Sequence, residues 1–248
     1  MRRAGLVVLG VLGLAVGEAQ AGEVRASTPE SRAAVVADLG RAADAELPRH
    51  LREEAYTRVV TTQDAATLLT LIRAADTSDE KRWVAIRALG PMRNGESRDA
   101  LLGLLEAPEA VVRIAALGAL ADRGDKTLSG RIAMRLPDKA ILVRVAAARA
   151  LGQLRDTSTL PDLSRALADG SNQDAGSSPW LRVTFVEAMI AIGTQEAAPW
   201  LARALEDRDP AVADAAMLGL EGLAGFTYRE GRTRDEQVTA WKRWAGVR

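Results

Sequence analysis

Six positions in this chain share a spacing, and five of them share a chemistry. Arg52, Arg82, Arg113, Arg144 and Arg182 are followed by nearly the same apolar line, and Ala213 holds the sixth place, so that successive anchors stand 30, 31, 31, 38 and 31 places apart. A row of guanidinium groups at a fixed period could act as a charged ladder for carboxylates or phosphates, or each could hold a turn by an ion pair. The second reading is favoured, because the same residue recurs at the same place in each copy; Asp79, three places before Arg82, and Glu109, four places before Arg113, fit it. Other reactive types are sparse. The one histidine, His50, stands just before Leu51-Arg52 with no nucleophile at a useful spacing, and is read as a surface or capping residue. Ser78-Asp79-Glu80-Lys81 matches the S-x-x-K form of a serine nucleophile, but it overlaps a helix-start signal (Thr77 with Glu80), and neither S-D-N nor K-T-G accompanies it. With no cysteine and one histidine, thiolate catalysis, disulfides and zinc sites of two or more histidines are excluded within one chain. No glycine-rich phosphate loop follows a strand. The expectation is a chain that is not an enzyme and carries no cofactor and no metal.

The elements that position these residues follow from the copies themselves. VRIAALGALADRG (112–124), VRVAAARALGQLR (143–155) and LRVTFVEAMIAIG (181–193) are the clearest. Apolar residues recur at three, four, seven and ten places after each arginine: Ala116, Leu117 and Leu120; Ala147, Ala148, Leu151 and Leu154; Phe185, Val186, Met189 and Ile192. That is one face of a helix. Arg123 breaks the pattern and is placed at the helix end. A glycine-bearing turn follows, at Asn94-Gly95, Gly124-Asp125 and Gly193-Thr194, and then a second apolar helix: Leu68, Leu71 and Ile72; Leu101, Leu102 and Leu105; Leu160, Leu163 and Leu167; Ala198, Leu201, Ala202 and Leu205. We term the two helices of each repeat A and B. A period of about 31 residues means stacked units that bury their faces on one another, so the fold class is all-α, an α-solenoid of antiparallel helix pairs. Aromatics make up only 4% of the chain, which suits helices packed through small side chains.

The segments at either end differ. Residues 1–21 carry a basic start, a short apolar run (4–17) and Ala19-Gln20-Ala21, the pattern of a signal peptide cut after Ala21. The apolar run is shorter than the ~20 residues that span a bilayer, so no stable membrane insertion is expected after cleavage. The mature chain is then periplasmic or secreted. Residues 22–45 read as an N-terminal segment and a covering helix from about Pro29 to Ala45, with Ser27 and Glu30 at capping-box spacing. The array runs over 46–248. Its first unit, Leu51 to Ala75, is weak, and GSNQDAG (170–176) is an insertion. That insertion is read as tolerated slack, the alternative being a loop that touches a partner. Asp209 and Pro210 are a cap and a first-turn proline. GFTYREGR (225–232) replaces the usual tight turn, and a closing helix (233–245) opens on Thr233 and Glu236 and carries Trp241 and Trp244 on one face.

Val112-Arg113 with Ala115-Ala116 and Ala119-Leu120, Val143-Arg144 with Ala146-Ala147 and Ala150-Leu151-Gly152, and Arg82 with Ala88-Leu89-Gly90 resemble the HEAT-repeat family in its short, phycobilin-lyase-like form, over about residues 46–248. The resemblance implies that the B helices line an inner, concave surface. It also implies that each anchor arginine is structural, paired with an acidic residue near an inter-repeat turn. The non-core B positions then become the candidate site. Eighteen places after each anchor stand Thr70, Ala100, Arg131, Asp162 and Trp200, and twenty-one places after stand Arg73, Gly103, Met134, Arg165 and Arg203. Trp and Arg concentrate interface energy, so Trp200, Arg203, Arg165 and Arg131 are the partner-binding candidates. The competing reading packs Trp200 against the insertion or Trp180.

The function expected is that of a non-enzymatic exported scaffold for a protein partner. An accessory subunit of a lyase-like enzyme acting on a protein-bound chromophore is the alternative that the resemblance implies. A nucleic-acid-binding array is another, but 33 basic against 33 acidic residues give no argument for it.

Overall fold

The computed structural model describes residues 28–172 and 179–247. The expected signal peptide, Ser27 and the later part of the insertion lie outside them. Among the described residues there are thirteen α-helices and no strand. After α1 (Pro29–Ala43), six A helices follow: α2 (Arg49–Thr61), α4 (Asp79–Leu89), α6 (Ala110–Arg123), α8 (Ile141–Leu154), α10 (Pro179–Ile192) and α12 (Pro210–Ala224). The intervening B helices are α3 (Ala65–Arg73), α5 (Gly95–Leu104), α7 (Ser129–Ala133), α9 (Leu160–Ala168) and α11 (Ala198–Ala204), and α13 (Arg234–Trp244) closes the array. From the third repeat on, each B helix opens with a 3₁₀ turn: Lys126–Leu128, Thr157–Thr159 and Gln195–Ala197. In the first two of these, Asp125 and Asp156 accept the amides of Thr127 and Ser158, two places on. This Asx geometry satisfies the first orphan donors and tightens the turn. The single B helix that the sequence suggests is therefore a 3₁₀ turn plus a shorter α-helix in those repeats.

The core is the predicted stripe of the A helices. Ile86, Leu89, Met92, Leu117, Leu120, Leu151, Phe185, Val186 and Met189 are buried to 1% exposure or less. Neighbouring A helices pack directly on one another, and small residues set how closely. A Cβ placed on Gly90 would lie 2.5 Å from the Ala119 carbonyl oxygen, and one on Gly152 would lie 3.1 Å from Ala188 Cα. Each pairs the eighth position after one anchor with the sixth after the next. In the last such contact the sizes swap, and Ile190 fills the space over Gly219. This register explains a composition rich in Ala and Gly: the A layer is close-packed through backbone.

A second seam runs along the A-to-B turns. Arg93 donates to the Arg123 carbonyl, Lys126 to the Arg155 carbonyl at 2.9 Å and Gln195 to the Leu223 carbonyl at 3.2 Å. Arg123 is the last residue of α6, as its break in the pattern suggests, yet it is buried. Its guanidinium donates to the Met92 carbonyl, to Ser97 Oγ at 3.1 Å and to the Asn94 carbonyl at 3.0 Å, clamping the preceding turn. Burial, then the charge of Arg93, lowers its pKa.

Both ends depart from the regular stack. α1 packs on α2 and reaches α4. Its cap is Thr28, which accepts the Ser31 amide at 3.2 Å, rather than Ser27. Asp38, buried between α1 and α2, receives Arg58 at 3.0 Å and Arg41 at 2.9 Å, and the Arg58 hydrogen bonds lead in holding its carboxyl below the usual range. Tyr56 ties the weak first repeat to the second by donating to the Arg87 carbonyl at 3.1 Å, and burial pushes its hydroxyl up to about 12. At the other end Thr233 and Glu236 form the expected capping box, and Trp241 is fully buried. Phe226 stacks on it with centroids 5.5 Å apart, while Tyr228 and Trp244 meet it edge-on at 4.7 and 5.3 Å. The segment 225–232 thus supplies half of an aromatic plug over the last repeat.

Candidate functional site

Helices α9 and α11 are neighbouring B helices, and Trp200 stands between them. Its indole is half-buried and borders an open cleft of about 240 Å³ with Thr157, Ser158, Leu160, Pro161 and Glu196. Trp180 does not border this cleft. The α11 geometry explains the placement: Ala198, Leu201 and Ala202 face the core, which turns Trp200 toward the preceding repeat. Arg203, one turn on, lays its guanidinium over the ring with Cζ 5.1 Å from the centroid. A cation in that position is attracted by the ring face. Arg165 occupies the same repeat position in α9 and is exposed, with one nitrogen donated to Asp162 at 2.6 Å. Arg131 of α7 is also exposed. The four candidates therefore lie on three successive B helices, with the Trp200–Arg203 pair at the C-terminal end of the row.

The anchor arginines sit elsewhere. Arg113, Arg144 and Arg182 are 4%, 8% and 9% exposed. Arg113 gives Nε and Nη2 to the two oxygens of Asp138 at 3.0 and 2.8 Å, and Nη1 to the Ala107 and Pro108 carbonyls at 2.7 and 2.9 Å. Arg182 repeats the arrangement with Asp207 and the Leu167 carbonyl. The Arg113 guanidinium thus ties the turn before its own helix to the turn after its repeat, and that of Arg182 ties the last turn of α9 to the turn after its repeat. The expected Glu109 partner is not used: Glu109 is the N-cap residue of α6 and makes no capping bond, and the acid that Arg113 meets is Asp138, beyond the following B helix. Arg82 does pair with Asp79 at 2.9 Å, and it also holds the Ile72, Ala74 and Thr77 carbonyls. Arg52 is half-buried with its Nε unbonded, in keeping with the irregular first repeat.

Asp138 is the carboxyl most enclosed by this scheme. Burial alone would raise its pKa, but the Arg113 hydrogen bonds, the Ala140 amide and the charges of Arg113 and Arg135 outweigh burial and hold it low. In the fourth such turn Asp169 occupies the equivalent place but turns to Ser171, whose hydroxyl and amide lower its pKa. Asn172 takes over as the partner of Arg144 and donates to the Ala166 carbonyl at 2.8 Å. Within the insertion Gly170 and Ser171 are exposed, but Asn172 is a buried structural residue, 2% exposed.

The remaining reactive candidates are accounted for. Ser78, not Thr77, caps α4, accepting the Lys81 amide at 3.4 Å, so the S-x-x-K match is a helix start. His50 is exposed on α2 in a depression lined by Glu53, Glu54, Thr57 and Arg58, all of that one helix. Among the described residues no three His, Asp or Glu side chains gather as a metal site, and no helix is long and apolar enough to cross a membrane.

Two repeat models match this chain: HEAT repeats over residues 65–139, and the PBS lyase HEAT-like repeat over 143–169 and 181–207. The chain belongs to the HEAT-repeat family. No curated protein matches it significantly. Solved structures similar to it include human deoxyhypusine hydroxylase in complex with glycerol, at 16% identity and a TM-score of 0.39 over 78% of this chain and 97% of that one. An engineered protein matches at 19% identity and a TM-score of 0.47 over 79% and 90%. The complex of CpcE and CpcF of phycocyanin lyase from a Nostoc species matches at 18% identity and a TM-score of 0.41 over 93% and 99%.

Proposed function

We propose that this HEAT array is a non-enzymatic scaffold, exported to the periplasm or beyond, that binds a protein partner on the face formed by its B helices. The observation that carries the reading is the Trp200–Arg203 pair: a large ring, half out of the core, borders an open cleft and carries an exposed guanidinium on its face. Tryptophan and arginine are enriched among the residues that concentrate interface energy once a partner covers them. A stacked array presents such a surface preformed, so little ordering is lost on binding. Export rests on the basic, apolar and small-residue pattern of residues 1–21. Nucleic acid is not the expected partner, given the balanced charge.

Crosslinking capture from the native envelope fraction tests this, comparing the wild type with a Trp200→Ala/Arg203→Ala variant whose fold is checked by circular dichroism. A specific protein captured by the wild type and lost by the folded variant supports the reading. Identical captures from both would remove the B-helix face from consideration, and a mature chain found in the cytoplasm would refute export.

A further inference from the structure

The chemistry of the partner segment can be read from the charges of the same face, and this step rests on the reading above. Arg131, Arg165 and Arg203 stand exposed on three successive B helices, α7, α9 and α11. Nearby carboxylates are already engaged. Glu106 holds Arg135 at 2.9 Å, Glu206 holds Lys242 at 2.7 Å, and Asp207 is taken by the buried Arg182. Asp162 shares the row, and it occupies one nitrogen of Arg165, leaving other guanidinium donors of that residue to an incoming group. The acid of the cleft itself lies toward the opposite ends of the helices: Glu196 stands a turn before Trp200, whereas Arg203 stands about a turn after it. Arg165 and Arg203 stand in the C-terminal halves of α9 and α11 and Arg131 at the middle of α7, so that the three form a basic row across the face.

Geometry adds a spacing. The A helices of successive repeats pack directly on one another, which sets the repeat step at about 8–10 Å, and a chain in the extended polyproline II conformation advances about 3.1 Å per residue with three residues per turn, so that every third side chain returns to one face. One repeat therefore corresponds to about three residues of such a chain laid across the array. Arg165 and Arg203 occupy the same repeat position, and Arg131 stands one turn earlier on its helix. The ring of Trp200 fixes the last guanidinium in place, so less side-chain freedom is lost when a carboxylate meets it. From these observations we infer that the partner presents an acidic segment in the polyproline II conformation with a carboxylate at every third place, read by Arg131, Arg165 and Arg203 in succession.

The test titrates the purified protein with three nonapeptides. One has Glu at the second, fifth and eighth places in a Gly background. The second has the same three Glu side chains contiguous, and the third has Lys in place of the spaced Glu. Nuclear magnetic resonance follows the Trp200 indole and Arg203 Nε–H signals. The expected result is saturable shifts with the spaced acidic peptide, weakened by salt and weakened about tenfold or more in Arg165→Glu/Arg203→Glu, as for the loss of two exposed charge pairs and the gain of repulsion. Arg165→Lys/Arg203→Lys, which keeps the charge, should bind between the two. Absence of saturation with the spaced peptide, equal binding of the Lys peptide, or indifference to charge reversal overturns the inference, and equal binding of the contiguous peptide overturns the spacing. If the envelope capture depends on Trp200 while no acidic peptide binds, the scaffold reading stands and this inference fails.

Discussion

Replacing Asp138 by alanine is expected to cost about 3–5 kcal/mol, because it strips the partner from a buried guanidinium. Arg113 and Asp138 have side chains only 5% and 7% exposed, and two of the four hydrogen bonds made by Arg113 go to this carboxylate. The Ala107 and Pro108 carbonyls remain, but they carry no charge to balance the cation. Asp138 also accepts the Ala140 amide at 2.9 Å just before α8, so its loss frees a donor as well. An exposed pair at the same distance would contribute at most about 1 kcal/mol. Urea denaturation followed by circular dichroism measures the difference. Hydrogen exchange at the third and fourth repeats should accompany it, since stacked repeats can unfold in segments. The companion variant Arg113→Met/Asp138→Ala removes both charges and should recover a large part of the loss. The pH dependence carries the same sign argument. The Asp138 pKa is lowered in the folded state, so its contribution is present above the unfolded value near ~4 and disappears as pH falls through the folded value. Asp138→Asn should therefore flatten the loss of stability between about pH 5 and the acid limit. A cost below about 1 kcal/mol for Asp138→Ala, or an unchanged acid profile for Asp138→Asn, would refute the view that the anchor arginines are turn clamps.

Two glycines should respond in opposite directions. Gly90→Ala forces a Cβ to 2.5 Å from backbone and is expected to destabilise by about 1–3 kcal/mol, whereas Gly103→Ala meets nothing within 4 Å and should stabilise by up to about 1 kcal/mol in thermal melts. Asn172→Ala leaves Arg144 without its side-chain partner and should cost about 1–3 kcal/mol by urea denaturation, which a merely tolerated insertion would not show. Trp200→Ala, at a half-buried site, should lower stability clearly less than Phe185→Ala in the core, for which about 3–5 kcal/mol is expected. Equal losses would mean that Trp200 is core rather than interface.

The repeat period and the apolar stripe were legible because both are periodic in the chain: the helical turn sets which side chains share a face, and the repeat length returns the chain to the next copy. The partner of Arg113 was not, since pairing along one helix sees only that helix, while Asp138 comes from a turn beyond the next helix. Arg123 read as an interruption of the stripe, yet it fills the core position by turning its guanidinium onto backbone carbonyls. The pairing of Gly90 with Ala119 depends on the register between helices, which no single repeat encodes. The spacing of Trp241 and Trp244 on one helix face marked the closing helix, but the contribution of Phe226 and Tyr228 to the plug arises from a loop with no periodic signal.

The central claim is that a protein partner is met by the B-helix face, and position-resolved photocrosslinking in cells tests it most directly. A photoreactive residue would replace Arg131, Arg165 or Arg203 on that face, and Arg149 or Glu187 on exposed positions of the A helices α8 and α10. The account predicts one common adduct from the three B-face positions and none from Arg149 or Glu187. Adducts confined to the A-helix positions, or equal at both faces, would contradict it.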